Sequence, residues 1–421
     1  MVRRRPRSVR AASCLALIVG VAHTAGGQAA TIPPDTVVTV VDGDSIPGFG
    51  AVGGVALDAL GYVYHANFRN ELWRYAPGGE ATLVARGLYG ASGNAVGRRG
   101  EVYQSSFHGH TISRIGRDGT VETYADTGLN GPVGIAVAEG GDLYVVNCSG
   151  NTISRIDPTR VVHHFASSPL FACPNGITRD DRGDLYVVNF GNSLVLRVTP
   201  DGQVTRFADI PGASGNGHIT FGRDGFYVTK FRGHQVFRLE RDGNSRVIAG
   251  TGTQGHRDGP ATEALLSQPN GIAYAPTTNE LWINELVSGN GVQGGPARAV
   301  LRRIRLIGLS DVLAAAPAGV PAMTAAYRAY RDARPGEGTA AAAIAHAYGY
   351  LSGQRVAEAI ALFRLNAEDH PKDPTSQYQL GEAYRFTNQP ALAAGQYRKA
   401  LAIDPNHALA GQRLAALEAN R

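Results

Sequence analysis

The heptapeptide GDLYVVN occurs twice in the chain, at residues 141–147 and 183–189. Each copy follows a polar, glycine-containing turn and precedes a Gly/Asn loop and a second strand-like segment, TISRID or LVLRVT. Short β-rich runs that are separated by turn residues are typical of antiparallel strands. The repeat therefore indicates a scaffold built from similar β-units.

Six such units can be aligned along the chain. They share one glycine near the start of the first strand, at Gly54, Gly93, Gly134, Gly176, Gly217 and Gly271. Five units continue into a fourth strand, and about 40 residues with four strands is the signature of a β-propeller blade. The sequence predicts a six-bladed propeller over residues 35–309, and a solenoid of stacked sheets is the alternative.

The two ends of the repeat region predict how the ring closes. The sixth unit has no fourth strand after VLRRIR, whereas an unassigned strand-like segment, residues 35–42, precedes the first unit. If this N-terminal strand completes the last blade, the ring has no exposed edge.

The first thirty residues differ in composition from the rest. Five arginines, a short apolar run and small residues follow one another in the order of a secretory signal peptide. Without residues 1–30, the basic and acidic residues balance at 35 each, so no nucleic-acid surface is expected. No later run is long and apolar enough for a membrane span. We expect an exported protein, periplasmic or secreted.

The periodicity changes to helical after residue 309. We predict a linker at 310–321 and helical repeats at 322–421. The segment 376–405 fits the tetratricopeptide pattern at its packing positions, which are Leu380, Gly381, Tyr384, Ala393, Tyr397, Ala400 and Pro405. A looser unit precedes it by 34 residues. An ordinary helical bundle is the alternative to tetratricopeptide repeats.

The blade frame PNGI, GDLYVVN and NxxxRI resembles the NHL repeat and, more widely, the gluconolactonase-like (regucalcin-type) six-bladed propellers. The resemblance implies a fold that serves lactonases, lyases and binding modules alike. It also implies a divalent metal such as calcium at the channel mouth, for which Asn175, Asn216, Asn270 and Glu285 are the candidate ligands. Gly53 and Gly54 stand where the family has a ligand Glu, and neutral amides alone hold hard cations weakly.

The last residue of each second strand is polar in all six units but differs in charge. We predict that these residues form a ring at one mouth of the channel, together with the inner-strand residues Ser92, Asn175, Asn216 and Asn270. The ring members are Asn67, Ser106, Asn147, Asn189, Lys230 and Glu285.

His218 lies near the same mouth and is the candidate general acid or base, with a structural histidine as the alternative. Glu285 is the candidate catalytic carboxylate, and a Lys230–Glu285 ion pair across the mouth is its structural alternative. His108 remains an open candidate, whereas His110 and His234 occupy turn positions. The basic run at 302–305 fits a solvated outer strand.

The residue after each strand end is Phe68, Phe107, Cys148, Phe190, Phe231 or Leu286, which we interpret as a packing position. Cys148 and Cys173 are expected on the same face of neighbouring blades, where a disulfide is the favoured interpretation. A buried, reduced Cys148 is the alternative.

Two functions from different classes follow. The first is an exported binding or scaffolding protein, in which the mouth holds a small molecule or peptide and the helical groove holds a protein partner. The second is a metal-assisted hydrolase or lyase acting on a lactone, ester or saccharide. A purely structural role in the cell envelope is a third possibility.

Overall fold

The computed structural model describes residues 32–43, 51–223, 225–289 and 297–419. The predicted signal peptide, residues 1–30, lies outside the described residues. Six antiparallel sheets form a propeller, and seven helices follow it within the described part of the chain. The predicted fold class, a six-bladed propeller followed by a helical domain, is confirmed.

Each of the first five blades is a sheet of four consecutive strands. Blade one comprises β2 (Val55–Leu57), β3 (Val63–Ala66), β4 (Leu72–Tyr75) and β5 (Ala81–Ala85). Blade two comprises β6 (Ala91–Val96), β7 (Val102–Ser106), β8 (Thr111–Ile115) and β9 (Val121–Ala125). Blade three comprises β10 (Pro132–Val137), β11 (Leu143–Asn147), β12 (Thr152–Ile156) and β13 (Val162–Ser167).

Blades four and five repeat this order. Blade four comprises β14 (Pro174–Arg179), β15 (Leu185–Asn189), β16 (Leu194–Val198) and β17 (Val204–Asp209). Blade five comprises β18 (Asn216–Gly222), β19 (Gly225–Lys230), β20 (Gln235–Leu239) and β21 (Ser245–Ala249).

The sixth blade is built from both ends of the propeller sequence. Its strands are β23 (Pro269–Ala275), β24 (Glu280–Gly289), β25 (Ala297–Arg305), β1 (Thr36–Asp42) and the two-residue β22 (Gly259–Pro260). Strand β1 pairs with β25 in antiparallel register, from Thr36 opposite Arg305 to Asp42 opposite Val300. The N-terminal strand therefore completes the last blade, as the sequence predicts.

Strand register defines equivalent positions on the six inner strands. On each inner strand, one residue pairs with the second-strand residue that lies two positions before Asn67 or its equivalent. This inner-strand residue is apolar in five of the six blades. These six residues are Val55, Asn94, Ile135, Ile177, Ile219 and Ile272. The residue before each of them is Gly54, Gly93, Gly134, Gly176, His218 or Gly271.

Glycine at this position lets neighbouring inner strands approach one another. A Cβ atom on Gly93 would come within 2.2 Å of the Val133 carbonyl oxygen in the next blade. A Cβ on Gly134 would meet the Asn175 carbonyl oxygen at 2.6 Å. The five glycines therefore allow the blades to pack closely around the axis, and His218 in blade five is the exception.

The register corrects our alignment of the fifth blade. Gly217, not Asn216, holds the position of Asn175 and Asn270. Asn216 instead holds the position that is proline in blades three, four and six. The sequence pattern misled because NGH in blade five looks like PNG shifted by one residue.

The helical domain contains seven described helices. They are α1 (Leu309–Ala315), α2 (Val320–Ala333), α3 (Ala340–Ser352), α4 (Val356–Asp369), α5 (Pro374–Phe386), α6 (Pro390–Ile403) and α7 (Ala408–Ala419). Helix α1 lies in the segment predicted as a linker, because Leu309, Val312 and Leu313 bury their side chains in the helical core. None of the described helices is both long and apolar enough to span a bilayer.

A buried ionic cluster joins the helical domain to the propeller. The Glu337 carboxylate, between α2 and α3, lies 2.9 Å from the Arg223 guanidinium and 2.7 Å from that of Arg246, both in blade five. Arg334 binds Asp35, just before β1, through two hydrogen bonds of 2.8 and 2.9 Å. Although burial opposes ionisation, Arg223 and the Tyr330 hydroxyl hold the pKa of Glu337 below its usual value.

Candidate functional site

The strand-end residues predicted to form a ring at the mouth lie inside the propeller. All six are buried: Asn67, Ser106, Asn147, Asn189, Lys230 and Glu285. Asn147 is representative, because its Oδ1 accepts a hydrogen bond from the Asn130 N–H and its Nδ2 donates to Thr152 and Ser154. The structure therefore places these side chains in loop and blade contacts, not around the mouth.

Lys230 and Glu285 do not pair with each other. The Lys230 ammonium donates to Ser193 Oγ at 2.9 Å and to the Ile210 carbonyl and Asn216 Oδ1 at 3.0 Å. Burial lowers the pKa of Lys230 to about 8. This lysine connects blade four with blade five, and it occupies the amide oxygen of Asn216 that we had considered as a metal ligand.

Glu285 is bound by an arginine. Both of its carboxylate oxygens lie 3.2 Å from Arg302 Nη1, and the Ser267 N–H donates to Oε2 at 3.1 Å. Burial raises the pKa of Glu285 to about 7, against the opposing effect of Arg302. Arg302 itself is fully buried. Its guanidinium also donates to the Leu265 and Arg257 carbonyls, in the connection between blades five and six. The expectation that the run 302–305 is solvated is therefore wrong for Arg302.

A largely apolar cavity of about 220 Å³ opens at the mouth where the inner strands begin. We call it the mouth cavity. Its lining residues are Val52, Phe68, Ser92, Phe107, His108, Val133, Cys148, Cys173, Asn175, Phe190, Phe231, Asn270 and Leu286. Every blade contributes the residue that follows Asn67 or its equivalent, and four of these six residues are phenylalanines.

Aromatic contacts organise this wall into two groups. On one side, the centroid of the Phe107 ring lies 5.0 Å from that of His108 and 5.9 Å from that of Phe68. The Tyr89 and His108 ring centroids are 5.4 Å apart. On the other side, the Phe190 and Phe231 ring centroids are 5.5 Å apart. The mouth thus presents aromatic faces and edges to whatever enters it.

Two asparagines supply polar atoms among the apolar wall. Asn175 Nδ2 donates to the Gly217 carbonyl at 2.7 Å, and Asn270 Nδ2 donates to the Gly53 carbonyl at 2.9 Å. These bonds fix both amides against the next blade. Neither Oδ1 atom accepts a hydrogen bond from the described residues, so each is available to a ligand N–H or O–H.

Cys148 and Cys173 form a disulfide in the structure, with Cα atoms 3.9 Å apart. It links the blade-three loop to the start of blade four and forms part of the cavity wall. The Cys173 N–H also donates to Asn151 Oδ1 at 2.8 Å, so the loop is held by a second bond.

His110 and His234 occupy left-handed turns, each with φ of 54°. Their Nδ1 atoms accept hydrogen bonds from the Gly131 and Gln268 N–H groups respectively. Each histidine therefore connects its own blade to the next one, as a structural element of the loop. His108, by contrast, is exposed and lines the mouth cavity.

His218 lies in the other half of the channel. It lines a separate cavity on the side where the inner strands end, and the two cavities share no lining residue. Burial lowers the pKa of His218 to about 4. Asn175 and Asn270 line the other cavity and Glu285 is bound to Arg302, so the predicted catalytic group is not assembled.

The metal site implied by the gluconolactonase resemblance does not fit these residues. Glu285 is bound to Arg302, Asn216 to Lys230, and glycines stand where a ligand Glu is expected. Among the described residues, no three His, Cys, Asp or Glu side chains are grouped closely enough to hold a metal ion.

The aromatic wall of the mouth is not among the features that the sequence pattern predicts. Successive side chains of an extended chain point to opposite sides, so a strand-end residue that points into the blade is followed by one that points out of it. The signal was present in the sequence as a repeated Phe, which we had interpreted as core packing.

Residues 70–290, more than half of the chain, match the virginiamycin B lyase family. No curated protein matches the chain. Among solved structures, a Bacteroides thetaiotaomicron protein of unknown function is similar with a TM-score of 0.54 and 18% identity, covering 64% of this chain and 76% of the other.

Two further solved structures are similar to the chain. An auxiliary nutrient binding protein from Bacteroides ovatus has a TM-score of 0.52 and 17% identity, covering 64% of this chain and 76% of its own. A catalytically inactive variant of virginiamycin B lyase from Staphylococcus aureus, with quinupristin, has a TM-score of 0.46 and 20% identity, covering 62% and 83%.

Proposed function

The chain belongs to the virginiamycin B lyase family, and we propose that within this family it is an exported binding protein whose mouth cavity holds an aromatic ligand. The observation that carries the proposal is the wall of four phenylalanines around a cavity of about 220 Å³. Ligand sites are commonly concave and apolar, with a few polar groups that fix orientation.

The polar atoms of the cavity narrow the ligand class. Asn175 and Asn270 use their amide nitrogens on the protein backbone, so they offer acceptor oxygens to the ligand. An aromatic group that carries an N–H or O–H donor satisfies both features of the cavity. Small molecules and peptides with such groups are the proposed ligands.

We predict that Phe107→Ala and Phe190→Ala each weaken binding of the aromatic probe 8-anilinonaphthalene-1-sulfonate about tenfold, because each removes apolar contact area. Fluorescence titration measures the dissociation constants. Leu60→Ala is the control, since Leu60 lies in the β2–β3 turn, outside the mouth cavity, and is 63% exposed. Equal affinities in all four proteins would refute a site at the mouth.

A lyase reaction at the mouth is the second candidate, favoured by the family match. Elimination requires a general base within reach of the proton that is removed, and His108 is the one ionisable side chain among the described residues that line the mouth cavity. The metal-assisted hydrolase with His218 and Glu285 is not supported, because these groups are separated or already paired.

Virginiamycin B distinguishes the two candidates. Chromatography of the compound after incubation with the protein reports turnover, and equilibrium dialysis reports binding. Product formation that is lost in His108→Gln supports the lyase. Binding without product supports the binding protein.

We infer that α3–α4 and α5–α6 are two tetratricopeptide units. Gly381 on α5 supports this assignment, because a Cβ atom there would come within 2.6 Å of the Tyr397 ring on α6.

Tyr348 and Phe386 remain 43% and 65% exposed, and we propose that they contribute to a protein-binding surface. Crosslinking in the native host should lose a discrete partner when both are replaced by alanine, while the melting temperature is retained.

Export is proposed from the basic and apolar N-terminal sequence, and the Cys148–Cys173 disulfide is compatible with an oxidising compartment. Cell fractionation and N-terminal sequencing test it. A cytosolic protein with an intact N-terminus would refute export.

A further inference from the structure

Two neighbouring positions of the inner strands break the six-fold repeat. At the first of them, one blade differs from the other five. Five inner strands carry glycine there and the fifth carries His218. One position further along, five strands carry Val or Ile and the second carries Asn94. Both substitutions put a polar side chain where the other blades have none, and both side chains line the same cavity.

His218 and Asn94 are buried without a full set of partners. His218 is 8% exposed, and its imidazole makes no hydrogen bond to the described residues. Asn94 Oδ1 is buried without a hydrogen-bond partner, and its Nδ2 reaches only the Gly54 carbonyl at 3.5 Å. Buried polar groups normally have partners, so these atoms are suited to hydrogen-bond a molecule in the channel.

The channel cavity, which His218 and Asn94 line, has a volume of about 320 Å³ and is distinct from the mouth cavity. It lies on the side of the propeller that carries the β18–β19 turn, where Arg223 contacts Tyr330 of the helical domain. Its exposed lining is more polar than apolar, and Thr178 and Thr220 contribute hydroxyl groups to it.

Arg179 is the one charged side chain among the described residues that line the channel cavity. It ends β14, three residues after Gly176, which corresponds to about 10 Å along the strand. Its ion-pair partner Glu139 is 3.8 Å away and mostly exposed. Burial keeps the pKa of His218 near 4, so at neutral pH the cavity has a cation at its outer end and uncharged polar groups at its inner end.

We propose that the channel cavity is a second ligand site, which binds a small organic carboxylate that has a hydrogen-bonding group at its far end. The carboxylate meets the Arg179 guanidinium, for which it is the complementary anion. The far group exchanges hydrogen bonds with the His218 imidazole and the Asn94 amide. The site is independent of the mouth cavity and of the function proposed for it.

The probe for this site is 6-hydroxyhexanoate, whose carboxylate and hydroxyl are separated by a chain of suitable length. Binding is measured by calorimetry and by the imidazole C–H signal of His218 in a ¹H–¹³C spectrum, assigned by its loss in His218→Gly. We expect this signal to shift and saturate during the titration.

The other blades supply the variants. His218→Gly and Asn94→Ile introduce the residues that other blades carry at these positions, so both should fold, which a cooperative melting curve verifies. Each should weaken 6-hydroxyhexanoate at least tenfold, as should Arg179→Gln. The uncharged 6-hydroxyhexanamide should bind wild type and Arg179→Gln equally weakly.

An unchanged His218 signal at saturating probe concentration would overturn the proposal. It would be overturned equally if the wild type, His218→Gly and Arg179→Gln bound 6-hydroxyhexanoate with the same affinity. If the mouth cavity does not bind its aromatic probe, the test of the channel cavity with 6-hydroxyhexanoate keeps its meaning, because the two sites have no residue in common.

Discussion

His65 and His218 are buried histidines of the inner part of the propeller. Burial lowers the pKa of His65 to about 3 and that of His218 to about 4. His65 Nδ1 lies 2.8 Å from Asn284 Nδ2 in the sixth blade. Both imidazoles are therefore neutral in the folded protein at pH values where an unfolded chain would already be protonated.

Acid should destabilise the protein through these residues. An unfolded histidine takes up a proton below about pH 6.5, whereas folded His218 stays neutral down to about pH 4. The unfolded state then binds more protons, so the free energy of unfolding falls as the pH is lowered from 6.5 to 4. His218 contributes about 3 kcal/mol to this loss.

Comparison with His218→Gly isolates this contribution. Glu285, whose pKa is raised to about 7, acts in the opposite direction between about pH 4.5 and 7, but it acts equally in both proteins. Urea unfolding at pH 7 and pH 4.5 should show a smaller acid-induced loss in the variant. Identical losses would contradict a buried, neutral His218.

At the scale of elements, the loops of the mouth show what the sequence could predict. Blade number, strand order and the closing strand follow from the spacing of the repeat, because hydrophobic alternation and turn glycines are local properties. Side-chain direction at a strand end is not local, since it depends on the loop that follows. The ring Asn67 to Glu285 was therefore placed at the mouth, whereas the neighbouring phenylalanines occupy it.

Asn216 of β18 shows the same dependence on a distant contact. Asn216 binds Lys230 Nζ at 3.0 Å, a contact with a residue that the other blades do not have at this position. The position of Asn216 is held by proline in blades three, four and six, so NGH in blade five resembles PNG shifted by one residue. Arg302 is a further example. Its buried guanidinium binds the Leu265 and Arg257 carbonyls, which lie in the connection between β21 of blade five and β23 of blade six.

The disulfide between the loops of blades three and four should stabilise the propeller. It closes a segment with a sequence separation of 25 residues, for which the loss of chain entropy in the unfolded state corresponds to about 3 kcal/mol. Urea unfolding of the Cys148→Ser, Cys173→Ser double variant should reveal a decrease of this order. A reducing agent should lower the stability of the wild type to that of the variant and leave the variant unchanged.

At the scale of the whole molecule, the N-terminal segment holds the two domains together. Strand β1 closes the sixth blade, and Asp35 just before it binds Arg334 of the helical domain. Glu337 adds a second attachment through Arg223 and Arg246 of blade five. The helical character of this domain was predictable from its periodicity, but this docking was not, because it depends on charges far apart in sequence.

Strand β1 offers a matched pair of substitutions. Val37 is fully buried among Tyr227, Ile283 and Ile304, whereas Val38 beside it is 42% exposed. Val37→Asp should lower the free energy of unfolding by more than about 3 kcal/mol, since it buries an unpaired charge. Val38→Asp should change it by less than about 0.5 kcal/mol. Equal effects in thermal and urea unfolding would show that β1 does not close the ring.

The pairing of β1 with β25 also has a consequence for folding kinetics. Asp42 and Arg298, which bind each other across this pair, are 256 residues apart in sequence, while the other five blades form from consecutive hairpins. Contacts of such long range form slowly, because a large loop must be closed before they contribute any stability. Until then, β25 is an open edge that the N-terminal strand of another copy can occupy. Refolding at high protein concentration should therefore yield strand-swapped dimers, and refolding at low concentration should yield monomers.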